Sequence, residues 1–244
     1  MDLGRRANFT SSQVYKLIKK GRGGAEFSAS GMTYIKEKAL ETKLGRGLST
    51  DAYSQAISWG FLMEAYVYNH ILPLNYRHVK NRRFHKEISN WCGIPDYEIP
   101  DIFISEIKCY QLKRFAEYSL ALEKRDIELL RDSFPEEYWQ VISNASINNV
   151  SHVEMLSFCP NNKQLDEVRH LITETDFLEK NNFQPWQYRY IEEKKNWRLP
   201  CLPETSEIKP LTRFKFEVPT EDLKFLESRI RLANDVLGQT LQEL

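Results

Sequence analysis

Residues 84–110 constrain the fold more than any other part of the sequence, because they interrupt a chain whose patterns are otherwise mainly helical. This stretch includes WCGIPDYEIPDIFISEIKCY, in which isoleucine and aromatic residues are common and prolines stand at positions 95 and 100. β-Branched and aromatic residues favour strands, and proline is typical of a turn or of a strand edge. The segment therefore predicts strands joined by a hairpin, against which the helices of the chain must pack.

Apolar residues at helical spacing predict the elements on both sides of this hairpin. The predicted helices cover residues 10–20, 30–43, 50–72, 111–131 and 135–147, with a C-terminal helix that starts at Pro219 and Thr220. Thr10 or Ser11 would cap the first helix, and Thr50 or Asp51 the third. This order predicts an α/β fold in a single domain, with a mixed central sheet flanked by helices on both faces.

Two further segments lie beyond the predicted helix at 135–147. SHVEMLSFCP at 151–160 predicts a strand that ends at a proline. Residues 160–218 have no clear pattern, although PWQYRYIEEKKNWRLP at 185–200 predicts one or two strands. We therefore expect a well-defined first part, a less defined region at 160–218 and a C-terminal helix at 219–244.

The composition suits one globular domain without a membrane span. The chain has 244 residues, of which 41% are hydrophobic and 28% charged, and this balance is typical of a folded domain. No run approaches the ~18 uninterrupted apolar residues of a transmembrane helix, and MDLGRRANFTSSQ lacks the apolar stretch of a secretory signal. The four cysteines form no CxxC pair, which favours reduced thiols. We expect a cytoplasmic protein.

The net charge of zero conceals an uneven distribution. Residues 1–50 contain ten Lys and Arg against four Asp and Glu, so they carry +6 and the rest of the chain carries −6. A basic N-terminal segment beside an acidic remainder suits a protein that guides a polyanion toward carboxylates that bind a metal. An ordinary solvated helix surface rich in lysine would give the same charge count.

Asp96, Glu106 and Lys108 are the residues of the predicted hairpin that point to chemistry. Side chains alternate along a strand, so Glu106 and Lys108 share one face, whereas Asp101 faces the other side. If the chain turns at residues 100–101, the numbers of paired residues add to about 201 or 202, which sets Asp96 opposite residue 105 or 106. The geometry therefore selects Asp96, and not Asp101, as the partner of Glu106.

Two carboxylates beside an ammonium group fit the hydrolysis of a phosphodiester. Carboxylates hold Mg²⁺, which keeps several waters and takes phosphate oxygens as further ligands. The metal acts as a Lewis acid and lowers the pKa of a bound water, and the lysine can orient that water or stabilise the transition state. The competing interpretation is a surface hairpin on which acids and lysine merely alternate.

Four sequence blocks decide between these interpretations. They are RRANFTSSQV at 5–14, with an arginine before a T-x-S turn; AISWGFLMEAYV at 56–67, a W-G-x-x-x-E helix; GIPD at 93–96 with SEIKC at 105–109; and EYWQVISNASI at 137–147, a helix with a glutamine. In this order they resemble the lambda-exonuclease-like family of phage and viral alkaline exonucleases, a branch of the PD-(D/E)XK nuclease superfamily. The resemblance covers about residues 5–160, and it implies a restriction-endonuclease-like core followed by a family-variable region at 160–218.

The resemblance implies a role for each residue of the hairpin that matches the family. Asp96 and Glu106 would be metal ligands, with the backbone carbonyl of Ile107 as a third. Lys108 would be the catalytic lysine. The family often has glycine after the aspartate, where this chain has Tyr97, so the hairpin loop should be shorter here.

The other blocks imply residues that approach the same centre. Glu64 would ligate a second metal or act through water, although a solvated helix face is the alternative for an isolated glutamate. Gln140 would position the nucleophile or the lysine. Arg5, Thr10 and Ser12 resemble a pocket that binds the 5′-phosphate of the digested strand; Thr10 as a plain helix cap, and Arg6 in place of Arg5, remain alternatives.

Aromatic residues offer a further hypothesis, because basic and aromatic residues alternate at 186–198. Five of them could stack on unpaired bases or pack in the core: Trp139, Trp186, Tyr188, Tyr190 and Trp197. The histidines have no ligand spacing and are interpreted as structural.

The function implied by the resemblance is that of a Mg²⁺-dependent deoxyribonuclease, with Mn²⁺ as a substitute. It would be a processive 5′→3′ exonuclease on double-stranded DNA ends in phage-type recombination, as a ring-shaped trimer that works with a single-strand annealing protein. The alternatives are a restriction-type or repair-type endonuclease of the same superfamily and a non-catalytic DNA-binding or adaptor protein on this fold.

Overall fold

The computed structural model of the protein describes residues 7–48 and 54–244. Its main element is a five-stranded sheet whose strands, in spatial order, are β2 (Arg77–His78), β5 (Tyr97–Ile99), β6 (Phe103–Lys108), β7 (His152–Phe158) and β8 (Leu211–Glu217). β6 and β7 pair in parallel, and the other neighbours pair antiparallel. The predicted mixed sheet is confirmed, including the strand at 151–160.

The β5–β6 hairpin has the predicted register. Tyr97 pairs with Ser105 and Ile99 with Phe103, so the numbers of paired residues add to 202. Continuing this register by one residue places position 96 opposite position 106. The turn passes through Asp101, whose φ of +61° lies in the left-handed region that aspartate tolerates better than most residues. A short turn therefore fixes which carboxylates can meet.

Helices cover both faces of the sheet, as predicted. They are α1 (Ala29–Leu44), α2 (Gln55–His70), α3 (Leu112–Lys124), α4 (Ile127–Ser133), α5 (Pro135–Asn148), α6 (Asn162–Leu171), α7 (Thr175–Lys180), α8 (Pro185–Glu193) and α9 (Thr220–Glu243). Phe103 and Ile107 of β6 belong to the core that includes residues of α2, α6 and α8. Ile104, on the opposite face of the same strand, belongs to the core that includes residues of α1, α3, α5 and α9. Because a core lies on each face of the sheet, apolar side chains point to both sides of β6 instead of to one side only.

The helices predicted at 30–43, 50–72, 111–131 and 135–147 and at the C-terminus are present with adjusted ends. Ser54 caps α2, because its side chain accepts from the backbone N–H of Ile57; the predicted caps Thr50 and Asp51 lie outside the described residues. The predicted helix at 111–131 is interrupted at Arg125, which adopts a left-handed conformation and ends α3 before α4 begins. Within residues 7–48 and 54–244, no helix is long and apolar enough to cross a membrane.

A second, three-stranded sheet replaces the start of the helix predicted at 10–20. Its strands, in spatial order, are β1 (Phe9–Thr10), β4 (Trp91–Gly93) and β3 (Arg83–Phe84). Thr10 pairs in parallel with Cys92, and the helical part is a 3₁₀ turn at Val14–Leu17 without a side-chain cap. The predicted cap at Thr10 or Ser11 is therefore wrong, because strand pairing with a distant segment determines the conformation of Thr10.

The strands predicted at 185–200 are also wrong. This segment forms α8 and a 3₁₀ turn at Asn196–Arg198. Pro185 occupies the first turn of α8, and Gln184 and Gln187 form a reciprocal capping box at its start. Tyr190 contacts α2 instead of a sheet, because its hydroxyl donates to the backbone oxygen of Gln55 at 3.2 Å.

Candidate active site

Asp96, Glu106 and Lys108 meet at one end of the β5–β6 hairpin. Oδ2 of Asp96 accepts a hydrogen bond of 2.8 Å from the backbone N–H of Ile107. The side chain of Glu106 is 1% exposed, and its Oε2 lies 4.0 Å from Nζ of Lys108. The antiparallel register and the alternation of side chains along β6 thus bring the three predicted residues together.

Helix α5 supplies amide groups that orient these charges. Gln140 Oε1 accepts from Lys108 Nζ at 2.9 Å, and its Nε2 donates to Glu106 Oε2 at 2.7 Å. Asn144, one helical turn later, donates from Nδ2 to the other oxygen of Glu106. Both oxygens of Glu106 therefore accept from amides of one helix, and Gln140 bridges the carboxylate and the ammonium group.

The electrostatics of the centre reflect its burial. Burial, and then repulsion from Asp96, raises the pKa of Glu106 well above its ordinary value. Burial also raises the pKa of Asp96, against the attraction of Lys108. Burial alone would lower the pKa of Lys108, but attraction to Glu106 and Asp96 prevails and raises it. The lysine is therefore cationic at neutral pH, while the two carboxyl groups resist being ionised together.

Glu64 approaches from α2, on the other face of the sheet. Its Oε1 lies 3.8 Å from Nε2 of His78, and its backbone oxygen accepts from the hydroxyl of Tyr97 at 2.8 Å. Burial, and then repulsion from Asp96, raises the pKa of Glu64 well above its ordinary value. Glu64 therefore belongs to the same electrostatic cluster and is not simply a glutamate on a solvated helix face.

These groups fit a hard divalent cation by charge and donor type. No three or more His, Cys, Asp and Glu side chains within the described ranges are placed to hold a metal, so side chains alone do not complete a ligand set. Asp96 and Glu106 would supply two oxygens, and the remaining predicted ligand is a backbone atom, the carbonyl oxygen of Ile107. Mg²⁺ commonly uses one or two carboxylates and keeps several waters. A cation would also relieve the repulsion that raises the carboxyl pKa values.

A cavity of about 130 Å³, which we call the hydroxyl cavity, adjoins this centre. Thr10, Ser11, Ser12, Arg82, Gly93, Ile94 and Gln140 line it. Oγ1 of Thr10 lies 3.4 Å from Oγ of Ser12. Among the described residues, the lining has hydroxyls and a guanidinium but no carboxylate, and these groups suit a phosphate. Gln140 connects the cavity to the centre, because it also contacts Glu106 and Lys108.

The back of the hydroxyl cavity requires a glycine. A Cβ at Gly93 would lie 2.0 Å from Oδ1 of Asn144 and 2.1 Å from Oγ of Ser11, so no other residue fits without displacing them. Ser11 is held in turn by Ser143, whose Oγ lies 2.8 Å from its own. Close packing thus links the cavity wall to the amide that supports Glu106.

The structure also places residues that the sequence did not single out. Asn144 lies four residues after Gln140 on one helix face, and this spacing is a signal that could have identified it. Arg82 and His78 have no comparable sequence signal, because strand pairing places them. Arg5, predicted to bind the 5′-phosphate, lies outside the described residues, as does Arg6.

The five aromatic residues proposed for base stacking do not form one surface. Trp139 is 3% exposed and packs in the core, whereas Trp186 and Trp197 are 50% and 74% exposed. None of the five lines the hydroxyl cavity. The packing interpretation therefore holds for Trp139.

Comparison with solved structures shows the same fold in exonucleases. The alkaline exonuclease LHK-Exo from Laribacter hongkongensis, in a crystal structure with dAMP, aligns over 99% of this chain and 93% of its own, with a TM-score of 0.65 and 13% identity. A phage-related exonuclease from Haemophilus somnus 129PT aligns over 97% of this chain and 96% of its own, with a TM-score of 0.57 and 12% identity. No family model matches the sequence. A search of curated proteins gives no significant match. The fold implied by the lambda-exonuclease-like resemblance is therefore confirmed along nearly the whole chain.

Proposed function

We propose that this chain is a metal-dependent DNA exonuclease of the lambda-exonuclease-like type. One observation carries the proposal: Gln140 bridges Glu106 and Lys108 beside Asp96, at the end of a hairpin in a fold shared with exonucleases. An adaptor protein would have no use for three closely placed, mutually perturbing charges of which Glu106 is fully buried, because such an arrangement is costly without a function. Perturbed groups held in fixed geometry are typical of a catalytic centre.

Mg²⁺, or Mn²⁺ in its place, is the proposed cofactor. Asp96, Glu106 and the carbonyl oxygen of Ile107 would hold it, with Glu64 as a ligand of a second ion or a partner through water. When bound, the ion supplies Lewis-acid polarisation of the phosphate and a more acidic water. Carboxylate and carbonyl oxygens are the donors that such hard cations prefer.

Lys108 and Gln140 are the proposed catalytic side chains that are not ligands. Because its pKa is raised, Lys108 keeps its proton, so it acts as a hydrogen-bond donor and a fixed positive charge for a phosphate oxygen or for the attacking water. Gln140 fixes the ammonium through its carbonyl oxygen and Glu106 through its amide. This pairing orients both groups before substrate binds, which reduces the reorganisation needed at the transition state.

We further propose that the hydroxyl cavity binds the 5′-phosphate of the strand being digested, through Thr10, Ser12 and, by resemblance, Arg5. Water attack on the next phosphorus breaks its bond to the 3′-oxygen of the terminal nucleotide. The released product is a nucleoside 5′-monophosphate, the class of compound bound in the structure of LHK-Exo with dAMP. The shortened strand carries a new 5′-phosphate, the same ligand as before, which suits processive 5′→3′ digestion of double-stranded DNA.

The biological setting is proposed from the resemblance. A processive 5′→3′ exonuclease leaves a 3′ single strand, which a single-strand annealing protein would bind during phage-type recombination in the cytoplasm of the host cell. A ring-shaped homotrimer would keep the duplex enclosed. A size measurement of the purified protein tests the assembly separately from the activity.

Digestion of linear and covalently closed circular DNA tests the proposed function directly. With Mg²⁺ or Mn²⁺ we expect the linear duplex to release mononucleotides and leave single strands, while the closed circle stays intact. Ca²⁺ should not support cleavage, and EDTA should abolish it. Cleavage of the circle would identify an endonuclease of the same superfamily, and undiminished activity in EDTA would refute metal dependence. DNA binding without cleavage in any of these metals would support the adaptor alternative.

A further inference from the structure

A second cavity, of about 270 Å³, adjoins the carboxylate centre from the α2 side. Phe61, Tyr68, His78 and Phe183 contribute rings to its lining, and Glu64 forms part of it. We call it the aromatic cavity. None of the residues that the structure describes lines both this cavity and the hydroxyl cavity. Its volume is roughly twenty times the ~10–15 Å³ that one water molecule needs, so it admits a ring-sized ligand.

The walls of the aromatic cavity present flat faces. The ring of Tyr68 is stacked on the buried ring of Tyr97, with centroids 5.5 Å apart and planes 6° apart, and the ring of His78 lies 5.4 Å from that of Tyr68. These contacts hold Tyr68 in place. Phe61 is 50% exposed, so its ring is accessible from solvent. Fixed and accessible rings are what base stacking requires.

Two carboxamides at the other side of the cavity have orientations fixed by their partners. Asn181 donates from Nδ2 to the backbone oxygen of Phe177 at 2.8 Å, so its side-chain oxygen remains as an acceptor. Gln187 accepts at Oε1 from the backbone N–H of Gln184 at 2.7 Å, so its amide nitrogen remains as a donor. One donor and one acceptor near aromatic faces match the hydrogen-bonding edge of a nucleobase.

The charge of the cavity argues against a phosphate as its ligand. Among the described residues that line it, none is a lysine or an arginine, and Glu64 places a carboxyl group at the end nearest the centre. A phosphate would meet this carboxyl group with no lysine or arginine of the described lining to offset the repulsion, whereas a neutral, flat heterocycle would not be repelled. The hydroxyl cavity has the opposite character, because the described part of its lining contains a guanidinium and no carboxylate.

We propose that the aromatic cavity binds the base of the nucleotide on the 3′ side of the scissile phosphate. This inference rests on the proposed exonuclease function and adds a base-binding site to it. The centre lies between the two cavities: Gln140 belongs to the hydroxyl cavity, and Glu64 belongs to the aromatic cavity. With the terminal 5′-phosphate in the first cavity and the scissile phosphate at the centre, the next nucleotide reaches the second cavity.

An abasic substitution tests this placement. Two 5′-phosphorylated linear duplexes would differ in one position, the second nucleotide from the 5′ end, which is a normal nucleotide in one and a tetrahydrofuran abasic residue in the other. The first two nucleotides are left unpaired in both, so that melting of the end does not differ. In rapid-quench measurements with Mg²⁺, we expect release of the first nucleotide to be about tenfold slower from the abasic duplex, the order of effect of losing one base stack.

A double variant, Phe61→Ala with His78→Ala, identifies the cavity as the site of that effect. It should digest the normal duplex more slowly than the wild type. It should show no abasic penalty, that is, no further slowing on the abasic duplex, because the stacking contact is already absent in the variant. Phe61→Leu, which keeps the bulk of the side chain but removes the ring, should reduce the penalty if the double variant fails to fold. Phe225→Ala is the matched control, since Phe225 is 40% exposed on α9 and lines neither cavity; it should keep the full penalty.

The outcomes separate this inference from the proposed function. Absence of cleavage of either duplex would refute the exonuclease proposal. Cleavage with equal rates on the two duplexes, or a penalty that the double variant retains, would refute the base site alone. Binding without cleavage gives an independent readout: with Ca²⁺, 2-aminopurine at the second nucleotide should lose fluorescence on binding to the wild type and keep it with the double variant.

Discussion

The two cavities beside the carboxylate centre differ in how they are built. The hydroxyl cavity is formed by strand ends and buried hydrogen bonds, and its back wall is so close that Gly93 has no room for a Cβ. The aromatic cavity is formed by faces of α2, the residues around β2 and the segment before α8, and part of its lining, such as Phe61, is exposed. The hydroxyl cavity is lined by hydroxyls and a guanidinium, and the aromatic cavity is lined mainly by flat rings and carboxamides.

This difference suits the two parts of a nucleotide that we propose they bind. The phosphate is identical at every step of digestion, so a fixed set of donors can fit it each time. The base changes from step to step, and stacking on aromatic faces tolerates all four bases because each has a π face. The comparison therefore predicts that variants of the carboxylate centre slow the cleavage of every substrate. Variants of the hydroxyl cavity should change the preference for a 5′-phosphate. Variants of aromatic residues far from both cavities should change neither the cleavage rate nor this preference.

The largest expected loss of cleavage rate follows from a substitution in the carboxylate centre. Asp96→Ala should reduce cleavage at least about a thousandfold, the upper range for removing a group that stabilises transition-state charge. Asp101→Ala should be nearly silent, because Asp101 lies in the hairpin turn and not opposite Glu106. The measurement is the initial rate on linear duplex for both variants, with circular dichroism to confirm folding. Equal losses in the two variants would contradict the assignment of Asp96.

Gly93→Ala should cause the next largest loss of cleavage rate, because Gly93 lies between the hydroxyl cavity and the carboxylate centre. The new Cβ would displace Asn144 and Ser11, and losing the amide that supports Glu106 should lower the rate about 10- to 100-fold, as for other partners that orient metal ligands. Gly238→Ala is the control: nothing lies within 4 Å of a Cβ there, so activity should be unchanged and α9 stabilised by about 0.5–1 kcal/mol. Titration of Mg²⁺ tests whether the loss of support for Glu106 is the cause. The Gly93→Ala variant should then need more Mg²⁺ for its half-maximal rate, and an unchanged Mg²⁺ requirement would contradict this explanation.

The sequence predicts the hairpin and its carboxylates better than it predicts their surroundings. Alternation along β6 and the position of the turn depend on neighbouring residues, so Asp96, Glu106 and Lys108 could be placed by local geometry. The conformation of Thr10 depends on pairing with Cys92, more than eighty residues later, and local helix signals could not reveal it. Contacts of this kind also place Arg82 in the hydroxyl cavity.

The segment at 185–200 was predicted wrongly for the opposite reason, because the local signals that identify its structure were present in the sequence. Its aromatic residues favour strands on average, yet the start signals of a helix were present in the sequence, with Pro185 at the first helical position and glutamines three residues apart. Capping and the fixed φ of proline outweighed side-chain preference. Of the rings of α8, Tyr190 is buried in the core that includes α2, whereas Trp186 is 50% exposed.

Phosphate preference distinguishes the hydroxyl cavity from the aromatic cavity. The wild type should digest a 5′-phosphorylated duplex about ten- to a hundredfold faster than a 5′-hydroxyl duplex, the effect of one charge-assisted contact. Thr10→Val and Ser12→Ala should each reduce that ratio, while Phe61→Ala should lower both rates and leave the ratio unchanged. Arg5→Ala and Arg6→Ala identify the N-terminal arginine by the same measurement. A wild-type ratio near one would remove the 5′-phosphate site and the main support for 5′→3′ polarity.

The smallest effect is expected at Trp197, which tests whether the DNA path extends beyond the two cavities. Trp197 is 74% exposed, and the guanidinium of Arg198 lies 4.7 Å from the centroid of its ring, so the ring already has a cationic partner. It lines neither cavity. Trp197→Ala should therefore change the digestion rate less than about twofold, because most exposed substitutions away from a site are near neutral. The measurement is the rate on the same 5′-phosphorylated duplex at two salt concentrations. A loss of about tenfold, of the size of a lost base stack, would place single-stranded DNA on this ring and would make the aromatic cavity one part of a longer stacking surface.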